Sequence, residues 1–391
     1  MADTESPTEE EIIQKIRKTE ELLRGRVDWS EENRRLHEDS VEALAEAGVF
    51  RMRVAARHGG YESGARAMVS VASALARVDG ALAWTASVYW IPTWMAGLFP
   101  ESVQREVFST PDVRVCGTLS PTATAVPAEG GIVVNGRWGF ISGALHSHWQ
   151  EIIAVRTAPN REPEPVIALV PVSELTTIDD WHTSGLRGTG SVSTEARDLF
   201  VPSERVLPLG NVLNGLSAEP SDSMIHRNPL LPVACASSVG TAVGLAEAAM
   251  ETFLSALPGR KITYTDYAHQ AEAPLTHHQV ARASNKVDQA RFHAHRLASQ
   301  VDAKASEGAP WSLEERARAR ADLGAACRLA GEAVDVLAEA SGGSSVYLDR
   351  PIQRIARDIR ALNLHALMHP DTNAELYGRV LCGQEPNTLY L

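Results

Sequence analysis

Apolar positions recur every three to four residues through the first hundred positions of the chain, then every second residue, then every three to four again. Residues 9–25 and 34–54 have helical spacing. Residues 67–99 are apolar almost all round, which predicts helix buried on every side. From Val113 to about Leu207 the period becomes that of strands, in VRVCGTL, GGIVVNGRWGFISG, WQEIIAVRT, PVIALVPV and STEARDLFVP. The runs PAEGG, APNREPEP and GLRGTGS separate them with turn chemistry. Long helical runs follow over 229–257, 275–305, 312–343, 349–369 and 371–381. The first is rich in Ala, Gly and Ser, which permit close helix packing. The third stops at Gly342–Gly343, a helix-end signal, and Pro351 suits a first helical turn. The pattern predicts a mainly α chain with a central β-domain: an α-helical domain over 1–110, a β-domain over 111–210 and a helical bundle over 211–391. Clefts form where such layers meet.

Composition narrows the function. The chain has 391 residues, 37 basic against 49 acidic, for a net charge of −12 at pH 7. With no basic run, it is a poor candidate for nucleic acid or an anionic membrane. No apolar run is read as approaching the roughly 20 residues of a membrane helix. The acidic start, MADTESPTEEEII, lacks the basic and apolar regions of a signal peptide. Cys116, Cys235, Cys327 and Cys382 are far apart without a CxxC pair, so buried free thiols in a reducing cytoplasm are expected.

One stretch stands out. Gly136–Trp149, GRWGFISGALHSHW, holds two Trp, one Phe, two His and two Ser, in a chain that is 6% aromatic. A flat cofactor explains it, and so does a strand buried between two layers. His146 and His148 lie two apart with no third ligand in view, so no metal site is read here.

The order of elements and four of these runs resemble the acyl-CoA dehydrogenase fold over nearly the whole chain. WGFISG resembles the segment that lies against the flavin ring, and VCGTLSP the strand before it. GLRGTGSVSTEARDLFVP and RIARDIRALNLHALM resemble two further family segments. The resemblance implies a helical N-terminal domain, a middle β-domain and a C-terminal four-helix bundle. It also implies a base for dehydrogenation, a Glu at one of two places. One falls on Ala366, and the other region reads NPLLPVAC, with Leu230 and Leu231 and no acid. NGRWGFISGALHSHW and RDIRALNLH are instead similar to two-component flavin-dependent monooxygenases. That branch takes reduced flavin, FMN or FAD, from a separate reductase. It uses O2 to form a flavin 4a-hydroperoxide and oxygenates aromatic, polycyclic or natural-product substrates. No GxGxxG follows a strand here, consistent with a separate reductase. An amino-sugar N-oxygenase, an acyl-CoA dehydrogenase and a non-catalytic member of the fold stay open as alternatives.

The resemblance also implies site residues. Ser142 is the first catalytic candidate, a hydroxyl donor or acceptor near flavin N5. His365 is the second, a proton carrier whose ordinary pKa lies near working pH. Cys116 and Thr118 are expected at the flavin's pyrimidine edge. Trp138 and Phe140 are expected on opposite strand faces, one against the flavin and one in the core. Gly143 would let the backbone approach a ligand. Arg187 with Ser191 would shape a turn beside the flavin, and Arg260 would reach a neighbouring subunit's cofactor phosphate. Trp84, Trp90, Trp94, His146 and His369 are the substrate-lining candidates, with His369 expected on the helix face of His365. The loop Gly342–Pro351 would hold a neighbour's dinucleotide end in a homotetramer.

Overall fold

A computed structural model of the chain describes residues 6–391. The acidic start read as lacking a targeting segment begins in residues 1–5, outside the described residues. Helices come first: α1 (Glu9–Lys18), α2 (Glu20–Gly25), α3 (Val27–Asn33), α4 (Glu38–Ala47), α5 (Ala65–Ala76), α6 (Gly80–Ala96) and α7 (Glu101–Val107). A capping box of Thr8 and Glu11 starts α1. Asp79 starts α6, its carboxylate accepting from the Leu82 N–H at 2.8 Å. α6 is buried on nearly every side, as its all-round apolar sequence predicts.

Strands follow as β1 (Val115–Gly117), β2 (Ala123–Ala128), β3 (Gly131–Ile141), β4 (Trp149–Arg156), β5 (Glu164–Pro171), β6 (Thr176–Ile178), β7 (Val192–Pro202) and β8 (Val206–Pro208). Among the described residues they form one sheet in the order β6-β7-β3-β2-β4-β5-β8, with β1 beside β4. β1 and β2 run parallel to β4, and the other pairs are antiparallel. The pairing of β1 is with β4, and β1 also packs against α6.

The last layer is α8 (Leu209–Leu213), α9 (Leu230–Ala256), α10 (Pro274–Glu307), α11 (Leu313–Ala340), α12 (Pro351–Asn363) and α13 (Pro370–Leu381). α9 is its spine. Gly240 and Gly244, one turn apart, face α5. A Cβ on either would lie 2.4 or 2.3 Å from the carbonyl oxygens of Val69 and Ser73, so only glycine lets the two helices approach this closely. By length and apolar composition α9 could cross a membrane, which corrects the expectation that no run comes near. However, 94% of its most apolar window is buried inside the protein, so it is a core helix. Cys116, Cys235 and Cys327 are buried free thiols, whereas Cys382 is exposed on the surface after α13, where no layer covers it. The chain's last residues turn back on the fold. The Tyr390 hydroxyl donates to the Leu119 carbonyl at 2.5 Å, and Arg320 of α11 donates to the Tyr390 carbonyl at 2.6 Å.

Candidate active site

The site begins where β3 leaves the sheet. Pairing between β3 and β7 slips between Trp138 and Ile141, and Phe140 sits there at φ 61°. Residues two apart on a regular strand share a face. The bulge, not strand alternation, is what separates Trp138 from Phe140. Trp138 is fully buried, and its indole N–H donates to the Ile153 carbonyl at 2.9 Å. It has no surface a cofactor could touch and belongs to the core, which corrects its assignment to flavin binding. Phe140 is 74% exposed and meets Trp181 edge to face. A bulky residue at positive φ, holding its ring out of the core, is an outlier that points to a ligand surface.

Two residues on, Ser142 is 8% exposed and ends a row of hydroxyls. Its Oγ lies 2.7 Å from Ser191 Oγ, which lies 2.6 Å from Thr189 Oγ1, which donates to the Leu186 carbonyl at 2.8 Å. From the other side the Trp84 indole N–H donates to Ser142 Oγ at 3.2 Å. The Leu186 N–H is held by Asp358 of α12 at 2.6 Å, which fixes the turn that carries Thr189 and Ser191. Gly143 follows at φ 73°. A Cβ there would lie 2.4 Å from the Tyr89 hydroxyl, which donates to the Gly143 carbonyl at 2.6 Å. A close approach that requires glycine here is that of Tyr89 of α6.

Trp84 joins the two catalytic candidates, for its ring also meets His365 edge-on at 4.9 Å. His365 lies in the turn between α12 and α13; the residue as a whole is exposed, but protein is crowded around its ring. That crowding pushes its pKa down to about 4, and Arg320 nearby adds to the effect. The Leu367 N–H donates to Nδ1 at 3.2 Å, so the neutral ring carries its proton on Nε2.

Other candidates are placed elsewhere. Trp90 and Trp94 are fully buried and donate to the carbonyls of Val49 and Ile225, so neither offers surface to a substrate. The helix that was to turn them to a pocket is enclosed all round. The Cys116 thiol is buried near Gln150, and burial pushes it up to about 12, leaving only its backbone for a cofactor. Thr118 is half-buried beside Ser120. Arg187 donates to the Glu31 carbonyl of α3, and Arg260 to the Ser341 carbonyl at the end of α11. The His146 ring meets the Leu36 carbonyl at 3.0 Å, while His148 accepts from the Arg114 N–H. His369 does not share a helix face with His365: the two lie in a turn, and His369 caps α13. Leu230 and Leu231 are buried. Glu247 is bound to Arg291 and Ser73, and Glu251 to Arg77, so neither carboxylate is presented to the Ser142–His365 group.

Thr189 and Asp358 stand inside the family-like runs GLRGTGS and RIARDIRALNLHALM but were not picked as site residues, and Arg320 and Tyr390 lie outside every such run. Of these last two, only Arg320 had a local signal. In ERARARADLG it stands one turn from Ala317 and Gly324, small positions of a buried helix face.

Residues 6–108 match the family described as acyl-CoA dehydrogenase, N-terminal domain, and residues 236–370 the one described as acyl-CoA dehydrogenase, C-terminal domain. The chain belongs to the acyl-CoA dehydrogenase superfamily. It is 28% identical to "flavin-dependent monooxygenase, oxygenase subunit HsaA" of Rhodococcus jostii, over 91% of this chain and 94% of that protein. It is also 28% identical to "FADH(2)-dependent resorcinol hydroxylase, oxygenase component" of Rhizobium sp., covering 97% and 96%. Among solved structures, XiaF from Streptomyces sp. in complex with FADH2 and glycerol superposes with a TM-score of 0.92, at 28% identity over 98% of each chain. Within the superfamily the chain's place is with the flavin-dependent monooxygenases.

Proposed function

We propose that this chain is the oxygenase component that hydroxylates an aromatic or polycyclic phenol, using reduced flavin delivered by a separate reductase. The observation that carries the reading is the Ser142–Trp84–His365 group, which brings a buried hydroxyl and a neutral imidazole to one indole. The exposed ring of Phe140 and the one-sided pairing of β1 suit a flat ring with an amide edge. Phe140, Ser142 and the backbone of Cys116–Thr118 would hold it. Reduced flavin supplies the electrons that activate O2. His365 stays neutral at pH 7, and its Nε2–H would hydrogen-bond the substrate's phenolic oxygen and orient the ring. The buried Trp84 excludes water from Ser142.

A homotetramer fits the exposed Val346, Tyr347 and Leu348 in the loop beside Arg260. A cytoplasmic location fits the three buried free thiols.

The test supplies the protein with a flavin reductase, NADH, 18O2 and a panel of phenols. A phenol carrying one added 18O atom is expected. Hydrogen peroxide as the sole oxygen product with every phenol, together with reduction of the flavin-loaded protein by an acyl-CoA without oxygen, would replace this reading with dehydrogenation.

A further inference from the structure

Resting on that reading, we infer that Ser191 and Thr189 are positioning residues that make Ser142 a hydrogen-bond acceptor toward the flavin, and so select the reduced over the oxidised cofactor. Every proton in the row is accounted for. The Thr189 hydroxyl lies 2.8 Å from the Leu186 carbonyl, and two oxygens that close need a proton between them, so Thr189 donates there. Thr189 Oγ1 then has only lone pairs to offer Ser191 at 2.6 Å, so the Ser191 proton points to Thr189. Ser191 in turn faces Ser142 with a lone pair, so the Ser142 proton points to Ser191 at 2.7 Å. The Trp84 N–H can only donate, and it takes one lone pair of Ser142. What Ser142 has left beyond these two partners is its second lone pair.

Position 5 of the flavin changes character with redox state. Reduced flavin carries N5–H, a donor. Oxidised flavin has a bare N5, an acceptor, which would meet the Ser142 lone pair head-on. A site built to receive a hydrogen bond rejects a ligand that cannot give one, because a buried polar group is left unpaired. A reversed row would favour the wrong state. The direction is set by a backbone carbonyl at one end and an indole at the other, and neither can reverse its role.

The experiment measures dissociation constants for reduced and oxidised flavin under anaerobic conditions, by flavin fluorescence or absorbance, without turnover. Ser191→Ala frees the Ser142 proton to turn toward the flavin. The ratio of oxidised to reduced dissociation constants should then fall roughly tenfold or more. Thr189→Val should do the same, and Thr189→Ser, which keeps the hydroxyl, should restore the wild-type ratio. The unaltered protein supplies a second reading. Reduced 5-deazaflavin has CH2 in place of N5–H, so it should bind at least several-fold more weakly than reduced flavin.

A ratio unchanged in Ser191→Ala and Thr189→Val, or both affinities falling equally, would overturn the inference. So would reduced 5-deazaflavin binding as tightly as reduced flavin. Failure of the wild-type protein to bind either flavin form would instead overturn the proposed function.

Discussion

Replacing Gly143 by alanine tests whether the turn after β3 is clamped by α6 as described. Gly143 lies at φ 73°, where an alanine costs about 1 kcal/mol from backbone strain alone. The new Cβ would lie 2.4 Å from the Tyr89 hydroxyl and 2.6 Å from its ring carbon Cζ, so the ring must move. Tyr89 is buried, and its hydroxyl donates to the Gly143 carbonyl. Displacing it strands that hydroxyl, at about 1–3 kcal/mol. The Gly143 carbonyl keeps other donors, Ser147 Oγ at 2.9 Å and the His146 N–H at 3.0 Å, so only the Tyr89 side of the bond is lost. Together these effects give a destabilisation of about 3 kcal/mol. Tyr89→Phe alone should cost about 1 kcal/mol, because the carbonyl stays paired. The assay is urea denaturation of Gly143→Ala, Tyr89→Phe and the double variant, compared at equal denaturant dependence. The double variant should lose less than the two single losses added, since one contact is shared. A loss below about 1 kcal/mol in Gly143→Ala, or strict additivity, would refute the clamp.

Acid should weaken the fold through His226. Its Nε2–H bonds the Trp94 carbonyl, its Nδ1 is buried without a partner, and burial, followed by the nearby Arg53, pushes its pKa down to about 4. The unfolded chain takes the proton first, so stability falls as pH drops from about 6.5 to about 4, by up to about 3 kcal/mol. Unfolding measured across that window should lose part of its pH dependence in His226→Gln, and an unchanged slope would contradict the assignment. Asp358 holds the Leu186 N–H while its other oxygen is buried without a partner, and burial together with neighbouring Asp79 raises its pKa well above the usual carboxylate range. Asp358→Asn should therefore cost less than about 1 kcal/mol, and Asp358→Ala about 2–4 kcal/mol with weakened flavin binding. Equal losses in the two variants would show that the charged form is the one required. His365→Phe should lower the share of reduced flavin that ends in hydroxylated phenol while flavin affinity stays within about twofold, because the proposed function turns the Nε2–H toward substrate; a matching loss of flavin affinity would move His365 to the cofactor.

Much of the architecture was legible because hydrophobic period reports local geometry. The strands between Val115 and Pro208 and the long helices α9, α10 and α11 lie where the period changes. Ser142 and His365 stand in the runs WGFISG and RDIRALNLH, and the structure places both against Trp84. The aromatic candidates were less legible. Trp84, Trp90 and Trp94 lie on one apolar helix with no polar face to set an orientation, so sequence could not say which indole bonds Ser142 and which bond core carbonyls. Phe140 and Trp138 differ because of a bulge, and a bulge moves side chains without changing the alternation of residue types. The hydroxyl row joins Ser142 to Ser191, 49 positions further on, and a local pattern does not register that distance.

The most direct test of the central claim is rapid mixing of oxygen with the protein and one equivalent of reduced FMN or FAD. The account predicts that bound flavin reoxidises with kinetics and an absorbance course distinct from free flavin, and that hydrogen peroxide release is slowed. Reoxidation indistinguishable from free flavin, with both cofactors, would contradict it.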